Sequence, residues 1–350
     1  MRTAASAAVL EYRRLSSRRL AVLAVFGCIL FATVTLDVAT GPAFLPVGAV
    51  VRALLGQSGD PTVQVIVWSL RLPIAFMAVV VGAALGLTGA IMQTILNNPL
   101  ASSYTLGISA GAGFGAALAI VAGSALPLQF RETDAVALCA FLFAGLSCAA
   151  VYAIGSVRGG TSEMLVLAGI ALMFLFQALL SLLQFIASPE ALQQVVFWLF
   201  GSLQKATWGK LAVVAATLAV CVPLLVRNVW RLTAMKLGDE RARGLGVNVR
   251  RVRIECFVLV SVLTGAAVAF VGTIGFIGLV APHAARMLVG EDQRIFLPAS
   301  ALSGAILLSA ASVASKTVLP GALVPIGIVT AMIGVPFFTW LVLRGRRSYW

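Results

Sequence analysis

Residues 71–113 read RLPIAFMAVVVGAALGLTGAIMQTILNNPLASSYTLGISAGAG, and the part between 73 and 95 determines the fold class. This run of 23 residues contains no Asp, Glu, Lys or Arg. A helix needs about 20 apolar residues to cross the hydrocarbon core of a bilayer. The run is rich in Ala, Leu, Val and Gly and does not alternate with polar residues, which favours a helix over a barrel strand. We therefore expect it to cross a membrane as an α-helix.

Runs of the same kind recur along the whole chain. Of its 350 residues, 61% are hydrophobic and 11% are charged, whereas about 25% of the residues of an ordinary soluble domain are charged. This composition excludes a water-soluble fold and predicts an all-α, polytopic membrane protein in which residues 1–350 form a single transmembrane domain. The ten expected membrane spans are 20–40, 73–95, 104–123, 135–154, 163–187, 206–226, 253–272, 274–289, 298–314 and 324–343.

Basic residues are concentrated on one side of these spans. The formal net charge is +13, and 19 of the 25 Lys and Arg residues fall on the side that holds both termini. Because cytoplasmic loops carry an excess of Lys and Arg, we expect the termini, the basic tail 1–19 and the loop 227–253 to be cytoplasmic and to contact lipid headgroups. The bacterial inner membrane is the expected location, and nucleic acid binding is not indicated. The basic residues expected outside are Arg52, Arg71, Arg131, Lys205, Lys210 and Lys316.

Two outer segments, 41–72 and 188–205, are too long to be tight turns. Each contains amphipathic pieces, such as residues 193–203, so we expect short helices on the outer face. These helices offer a surface on which a partner can dock.

An Asn-Asn-Pro sequence, Asn97 to Pro99, interrupts the apolar sequence on the cytoplasmic side. Proline disfavours helical geometry in the preceding residue, so the chain must turn there. One interpretation is a simple turn. The other is a pore constriction, in which Asn97 and Asn98 line a water-accessible path, since irregular backbone is tolerated at membrane depth only beside such a path or inside the protein.

The loop 227–253 contains MKLGDERARGLGV, residues 235–247. A juxtamembrane basic loop would account for its arginines. It would not account for the acidic pair or for the narrow apolar face that Leu237, Ala242, Leu245 and Val247 could form over three turns. A short helix that inserts into a cytosolic partner accounts for all of these features. The residues assigned to this contact are Leu237, Gly238, Asp239, Glu240, Arg241, Ala242, Leu245, Gly246 and Val247.

Several classes of function are disfavoured. The chain contains no GxxxxGK[ST] sequence, so if ATP powers the protein, another subunit binds it. An ion-coupled secondary transporter remains the alternative, but such carriers place ionisable groups near the bilayer midplane, and no expected span has one at its centre. A single histidine, His283, provides neither a catalytic cluster nor a metal site. We expect no enzymatic activity in this chain.

Four segments in order resemble the FecCD family of ABC importer permeases, which serves iron-siderophore, haem and cobalamin uptake. They are residues 71–113, residues 235–247, GFIGLVAPHAARMLVG at 275–290 and PIGIVTAMIGVPFF at 325–338. The resemblance implies a type II ABC importer permease fold with a pathway at the interface of two permease copies, which we expect to be identical. It also implies two cytosolic ATPase subunits that carry ATP and Mg, and a soluble extracytoplasmic binding protein. A ferric siderophore is the favoured substrate, followed by haem and then cobalamin.

The resemblance also assigns roles to particular residues. Residues 235–247 match the coupling helix region that sits in a cleft on the ATPase, and the fifth and tenth spans line the path. The candidate cytoplasmic gate comprises Asn97, Asn98, Leu100, Thr161 and Ser162.

The outer face departs from the family pattern. The family often has RLPR at the start of the second span, with two arginines that meet acidic residues of the binding protein, whereas this chain has Ile74 and keeps only Arg71. Near the ninth span the family often has an Asp and an Arg four residues apart, and Ser312 and Lys316 occupy those positions here. Arg71 and Lys316 are therefore the predicted docking charges, although a lysine does not reproduce bidentate carboxylate binding.

Overall fold

The computed structural model describes residues 2–41, 45–57, 59–123, 132–157, 159–319 and 321–344. Every regular element in these ranges is a helix. The α-helices are α1 (Arg2–Ala39), α2 (Val47–Leu54), α3 (Pro61–Val65), α4 (Leu72–Ile95), α5 (Ile108–Ala122), α6 (Glu132–Ser156), α7 (Ser162–Ile186), α8 (Pro189–Leu199), α9 (Trp208–Val226), α10 (Val229–Met235), α11 (Asp239–Gly244), α12 (Val249–Val271), α13 (Ile277–Val289), α14 (Gln293–Thr317) and α15 (Ile326–Arg344). Arg131, Arg158, Arg346 and Arg347, which entered the predicted charge distribution, lie outside the described residues.

The ten predicted spans all coincide with helices. In the described part of the chain, seven helices are long and apolar enough to cross a membrane, and the shorter apolar helices at 108–122, 277–289 and 326–340 account for the other three. The predicted all-helical, polytopic fold is confirmed. The fifth and tenth spans correspond to α7 and α15.

One of the predicted boundaries is wrong. The second span begins earlier than expected, since Pro61–Ile95 is continuous through a π-helical segment, Ile66–Arg71. Pro73 has no N–H group to donate, and the helix passes this point with a bond from the N–H of Leu72 to the carbonyl of Val67. Helix α1 begins at Arg2, and its apolar part, Ser17–Ala39, agrees with the predicted first span, so the basic tail 1–19 stays a prediction.

The short helices predicted on one face are present. α2 and α3 lie within 41–72, and α8 lies within 188–205. α8 begins at Pro189 rather than at 193, because the side chain of Ser188 accepts a hydrogen bond from the N–H of Ala191 and caps the first turn.

Helix α4 lies at the centre of the bundle. In its most apolar 18-residue stretch, 78% of the residues are buried, compared with 17% in the corresponding stretch of α1 and 28% in that of α7. It packs closely on α14, because a Cβ atom added at Gly82 would meet the carbonyl oxygen of Gly304, and one at Gly86 would meet the carbonyl oxygen of Ser300. Small residues at this spacing allow two helix backbones to approach closely.

Close packing at glycines also joins α5 to α6. A Cβ atom added at Gly111 would lie 2.7 Å from the carbonyl oxygen of Phe143, and one at Gly115 would meet that of Cys139. The glycine-rich stretch 107–115 therefore serves helix packing.

The bundle has two distinct ends. We call the end where α4 finishes and α12 begins the basic end; it carries the segments 96–107, 159–161, 227–248 and 290–292. The opposite end carries α2, α3 and α8 and the end of α1.

Candidate functional site

Arg253, in the second turn of α12, lies at the centre of the basic end. Its side chain is 5% exposed. The guanidinium donates from Nε to the carbonyl oxygen of Ile95 at 3.2 Å and from Nη1 to that of Gly160 at 2.8 Å. Its Nη2 donates to Ser162 Oγ and to Asp239 Oδ1, both at 2.9 Å. One buried cation thus joins three segments that are far apart in the chain.

The first of these segments is the Asn-Asn-Pro turn, which follows Ile95 directly. Asn97 has a φ of +44°, a left-handed conformation that Asn tolerates better than most residues. Asn98 Oδ1 accepts a hydrogen bond from the N–H of Leu100 at 2.9 Å, which is the geometry of an Asx turn. The predicted turn is therefore present, and the pore constriction stays a prediction. Asn97 and Leu100 are exposed and Asn98 is half-buried, so these side chains remain accessible at the basic end.

The second segment is the loop between α6 and α7. Thr161 is the N-cap of α7, and its side chain accepts a hydrogen bond from the N–H of Met164. Ser162 is half-buried and its hydroxyl accepts from Arg253. The structure therefore brings the two predicted gate segments, around Asn98 and around Ser162, onto one side chain that the sequence analysis did not assign to the gate.

The third segment is the predicted coupling region. Only its middle part is helical, as α11 (Asp239–Gly244), because Gly238 (φ +92°) precedes this helix and Gly246 (φ +80°) follows its end. The predicted helix of three turns is therefore wrong. The single apolar face predicted there is also wrong: Ala242 is fully buried, whereas Leu237 and Leu245 are 53% and 64% exposed.

The same segment exposes charged side chains beside these leucines. Val247 packs partly against the core and Asp239 is half-buried at the ion pair. The exposed residues of the region are Leu237, Glu240, Arg241, Arg243, Gly244, Leu245 and Gly246. Residues 235–247 therefore present two exposed leucines at the basic end, one on each side of α11, with the charged side chains of α11 between them.

A second set of contacts holds the region from the other side. Glu291, in the connection between α13 and α14, lies 3.0 Å from Lys236 Nζ and 3.3 Å from Arg286 Nε. Arg286 also donates to Gln93 Oε1 at 2.7 Å. The guanidinium of Arg294 lies 3.7 Å from the ring centroid of Trp230 on α10, a cation–π distance. The coupling region is thus attached to the end of α4 from both sides.

The two predicted docking charges at the opposite end are buried within the chain. Arg71 is 5% exposed and its Nη1 donates to the carbonyl oxygens of Val38 and Ala39 at 3.0 and 2.8 Å. The side chain of Lys316 is 3% exposed and its Nζ lies 2.8 Å from Oδ1 of Asp37, which is fully buried. In this conformation both cations hold the end of α1 against the bundle and neither is accessible to an acidic partner, contrary to the docking prediction.

A cavity of about 520 Å³ also lies at the opposite end. It is bounded by α8, the ends of α12 and α14 and the segment before α15, and its lining includes Gln193, Trp198, Lys205, Lys210, Phe270, Ser312 and Ile326. Of the two helices expected to line the path, α15 contributes only its first residue, Ile326, to this lining, and α7 contributes none.

The position of Arg253 carried a signal in the sequence. It falls in the stripe of Val249, Val252, Cys256 and Val260, which has the 3–4 residue spacing of a buried helix face, and all four of these residues are buried. Arg250 and Arg251 lie on the exposed face. A lone arginine within an apolar stripe needs internal acceptors, because a buried charge without hydrogen bonds is strongly unfavourable.

The described residues form a multi-pass bundle of apolar helices with a short charged segment, residues 235–247, at the basic end. Residues 29–344 match the FecCD transport family, and the chain belongs to that family. It is the permease subunit of an ABC transporter and is not itself catalytic; the nucleotide is carried by the ATPase partner.

Similar proteins cover nearly the whole chain. The hemin transport system permease protein HmuU of Yersinia pestis is 39% identical over 298 residues, which are 85% of this chain and 89% of that protein. The Fe(3+)-citrate import system permease protein YfmE of Bacillus subtilis is 36% identical over 331 residues, 94% of this chain and 96% of that protein. A solved inward-facing structure of a metal-chelate type ABC transporter has a TM-score of 0.82 and 33% identity, and the match covers 93% of this chain and 99% of that one.

Proposed function

We propose that this chain is the permease of a binding-protein-dependent ABC importer that moves a metal chelate across the bacterial inner membrane, driven by ATP hydrolysis in partner ATPases. The observation that supports it most is the geometry of the basic end. There, one exposed segment with two leucines at its ends is bonded through a buried arginine to two accessible loops. A motor protein that binds this segment can move both loops.

In this proposal the basic end faces the cytoplasm, in keeping with the positive-inside rule. Two ATPase subunits, with ATP and Mg, contact residues 235–247 there. Asn97, Asn98, Leu100, Thr161 and Ser162 form the inner gate, and closure of the ATPases moves the coupling helices as rigid levers. A soluble binding protein delivers the substrate to the opposite end, where α2, α3 and α8 offer surface in place of the buried Arg71 and Lys316.

The translocation path is proposed to lie between two copies of the chain. The exposed side chains of α7 include Phe174 at 62% and Phe185 at 87%, and those of α15 include Met332 at 69%. These large apolar side chains point away from this chain's own core, as a path or an interface between two copies requires, whereas others on the same helices, such as Leu165 and Phe176, are buried in that core.

For the substrate, we favour a ferric siderophore, then haem, then cobalamin. The relatives named above carry hemin and ferric citrate in their names, so metal chelates of different chemistry pass through similar permeases. An uncharged permease path need not bind its cargo tightly, and selection is then left to the binding protein.

The energy source and the substrate are tested together by uptake into cells that carry or lack this permease. We expect uptake of iron supplied as a siderophore to require the permease and to be blocked by vanadate, which inhibits ABC ATPases. Uptake that resists vanadate but collapses with a protonophore would instead favour the ion-coupled secondary transporter. Uptake of haem or cobalamin alone would reject the siderophore.

A further inference from the structure

We propose that Arg253 is the positioning residue that transmits movement of the coupling segment to both gate loops at once. This inference rests on the proposed function, because it assumes that the ATPases act on residues 235–247. Its basis is the set of four hydrogen bonds that a single guanidinium makes to α4, to the α6–α7 loop and to α11.

The chemistry of the side chain suits this role. A guanidinium has five N–H donors in one rigid plane, and four of the bonds available to it are made here, to acceptors in three different segments. Because the donors cannot move independently, a displacement of one acceptor relative to the plane strains the bonds to the others. An ammonium group on a flexible stem would not link its acceptors in this way.

Only one of the four acceptors carries a charge. Ile95 and Gly160 contribute carbonyl oxygens and Ser162 a hydroxyl, whereas Asp239 contributes a carboxylate. The side chain of Arg253 is 5% exposed, so water does not replace a lost partner easily. Separating Asp239 from Arg253 therefore leaves a buried charge with neutral partners, which is strongly unfavourable. When α11 moves, the arginine is expected to follow the carboxylate and release the two carbonyls.

Helix α11 depends on this contact for its position. It has six residues, far fewer than an isolated helix needs to be stable. Within the described part of the chain it packs on α10 and α12, with Ala242 buried, and it is bonded to α12 by the ion pair of Asp239. The ion pair is therefore a direct route by which a force on α11 reaches the gate loops.

Arg251 provides a matched control two residues away. Its side chain is 75% exposed, and it pairs with Glu255 at 3.0 Å on its own helix. An exposed pair of this kind contributes little, and it reaches neither gate loop.

The test uses the complete transporter, with permease, ATPases and binding protein, reconstituted in liposomes, and measures ATP hydrolysis and substrate uptake in the same vesicles. The variants are R253Q, R253K, D239N and S162A, with R251Q as the control. We expect R253Q and D239N to raise the ATP consumed per substrate transported by roughly tenfold or more, a scale set by the loss of a charge-assisted hydrogen bond in a buried network. R253K keeps the charge and should recover part of the coupling, whereas R251Q should match the wild type.

Three outcomes bear on the proposal separately. An unchanged ratio of ATP to substrate in R253Q and D239N would overturn it, and so would a proportional fall of both activities, which is the signature of a purely structural role. If R253Q does not assemble, the test relies on D239N and S162A, which leave the arginine in place. The ratio of ATP hydrolysed to substrate transported is then compared between these variants and the wild type. Failure of the wild-type transporter to couple uptake to ATP would reject the proposed function instead.

Discussion

Lys316 Nζ and Asp37 Oδ1 lie 2.8 Å apart in a contact that joins α14 to α1, and both side chains are almost completely buried. Lys316 also donates to the carbonyl oxygen of Asp37 at 3.0 Å. In place of an acidic residue at position 312, four residues earlier on the same helix, the lysine uses a carboxylate from the first span. The contact accounts for the placement of α1 at the edge of the bundle.

Removing the cation should destabilise the protein. We expect K316M to lower the free energy of unfolding by about 3–5 kcal/mol, because it leaves the carboxylate of Asp37 buried and unpaired. The measurement is thermal unfolding in detergent, with K205M as a control, since Lys205 is exposed at the same end. The double variant D37N/K316M should recover most of the stability that K316M loses. An equal loss of stability in K316M and K205M would show that the ion pair is not the cause.

The contact between α4 and α14 should not accept a larger side chain. A Cβ atom at Gly82 would overlap the backbone of Gly304, so G82A is expected to cost about 1–3 kcal/mol or to prevent folding. The control is G209A on α9, where nothing lies within 4 Å of an added Cβ atom and alanine favours the helix. The yield of monodisperse protein on size-exclusion chromatography measures both. Equal yields would contradict the close packing.

The exposed leucines of the coupling segment should bind the ATPase. Leu237 and Leu245 are 53% and 64% exposed, and burying a leucine contributes about 1.5–3 kcal/mol. L245D should therefore weaken ATPase binding by roughly tenfold or more, without changing the thermal stability of the isolated permease. Titration of purified ATPase onto permease in nanodiscs measures the affinity. The control is L55D, which changes a leucine of similar exposure at the opposite end; an equal effect there would argue against a specific contact.

Reversing the two acidic charges of the segment should separate hydrolysis from uptake. Glu240 is exposed, so E240R tests the contact with the ATPase alone, whereas D239R also breaks the ion pair with Arg253. We expect both to reduce uptake per ATP hydrolysed, with the larger effect in D239R, because a second cation then faces a buried one. Full coupled transport by D239R would contradict the assignment of residues 235–247. E190R, an exposed reversal at the opposite end, controls for the change in net charge.

The helices could be predicted from the sequence, because crossing a bilayer imposes a length and a composition on each span separately. The turn at Asn97 to Leu100 was predictable for a similar reason, since its geometry depends on adjacent residues. The same holds for the short amphipathic helices at the opposite end. Local rules of this kind need no knowledge of the tertiary arrangement.

The partners of buried charges could not be predicted in this way. Asp37 and Lys316 are 279 residues apart in the chain, and Arg253 reaches acceptors 158, 93 and 91 residues away. An arginine near the end of a span has the same local sequence signature whether it faces lipid headgroups or joins three segments. For Arg71 and Lys316 the outer location was predicted, but their burial depends on how α1 packs, which no local pattern specifies.

The central claim is that this chain works as the permease of an ABC importer, and native mass spectrometry of the gently purified complex tests it most directly. We expect an assembly that contains two copies of this chain and two ATPase subunits, with a binding protein or a metal chelate retained in part of the population. One copy beside a related permease would correct the proposed homodimer and leave the claim in place. An intact complex that transports its substrate and contains no ATPase chain would contradict the claim.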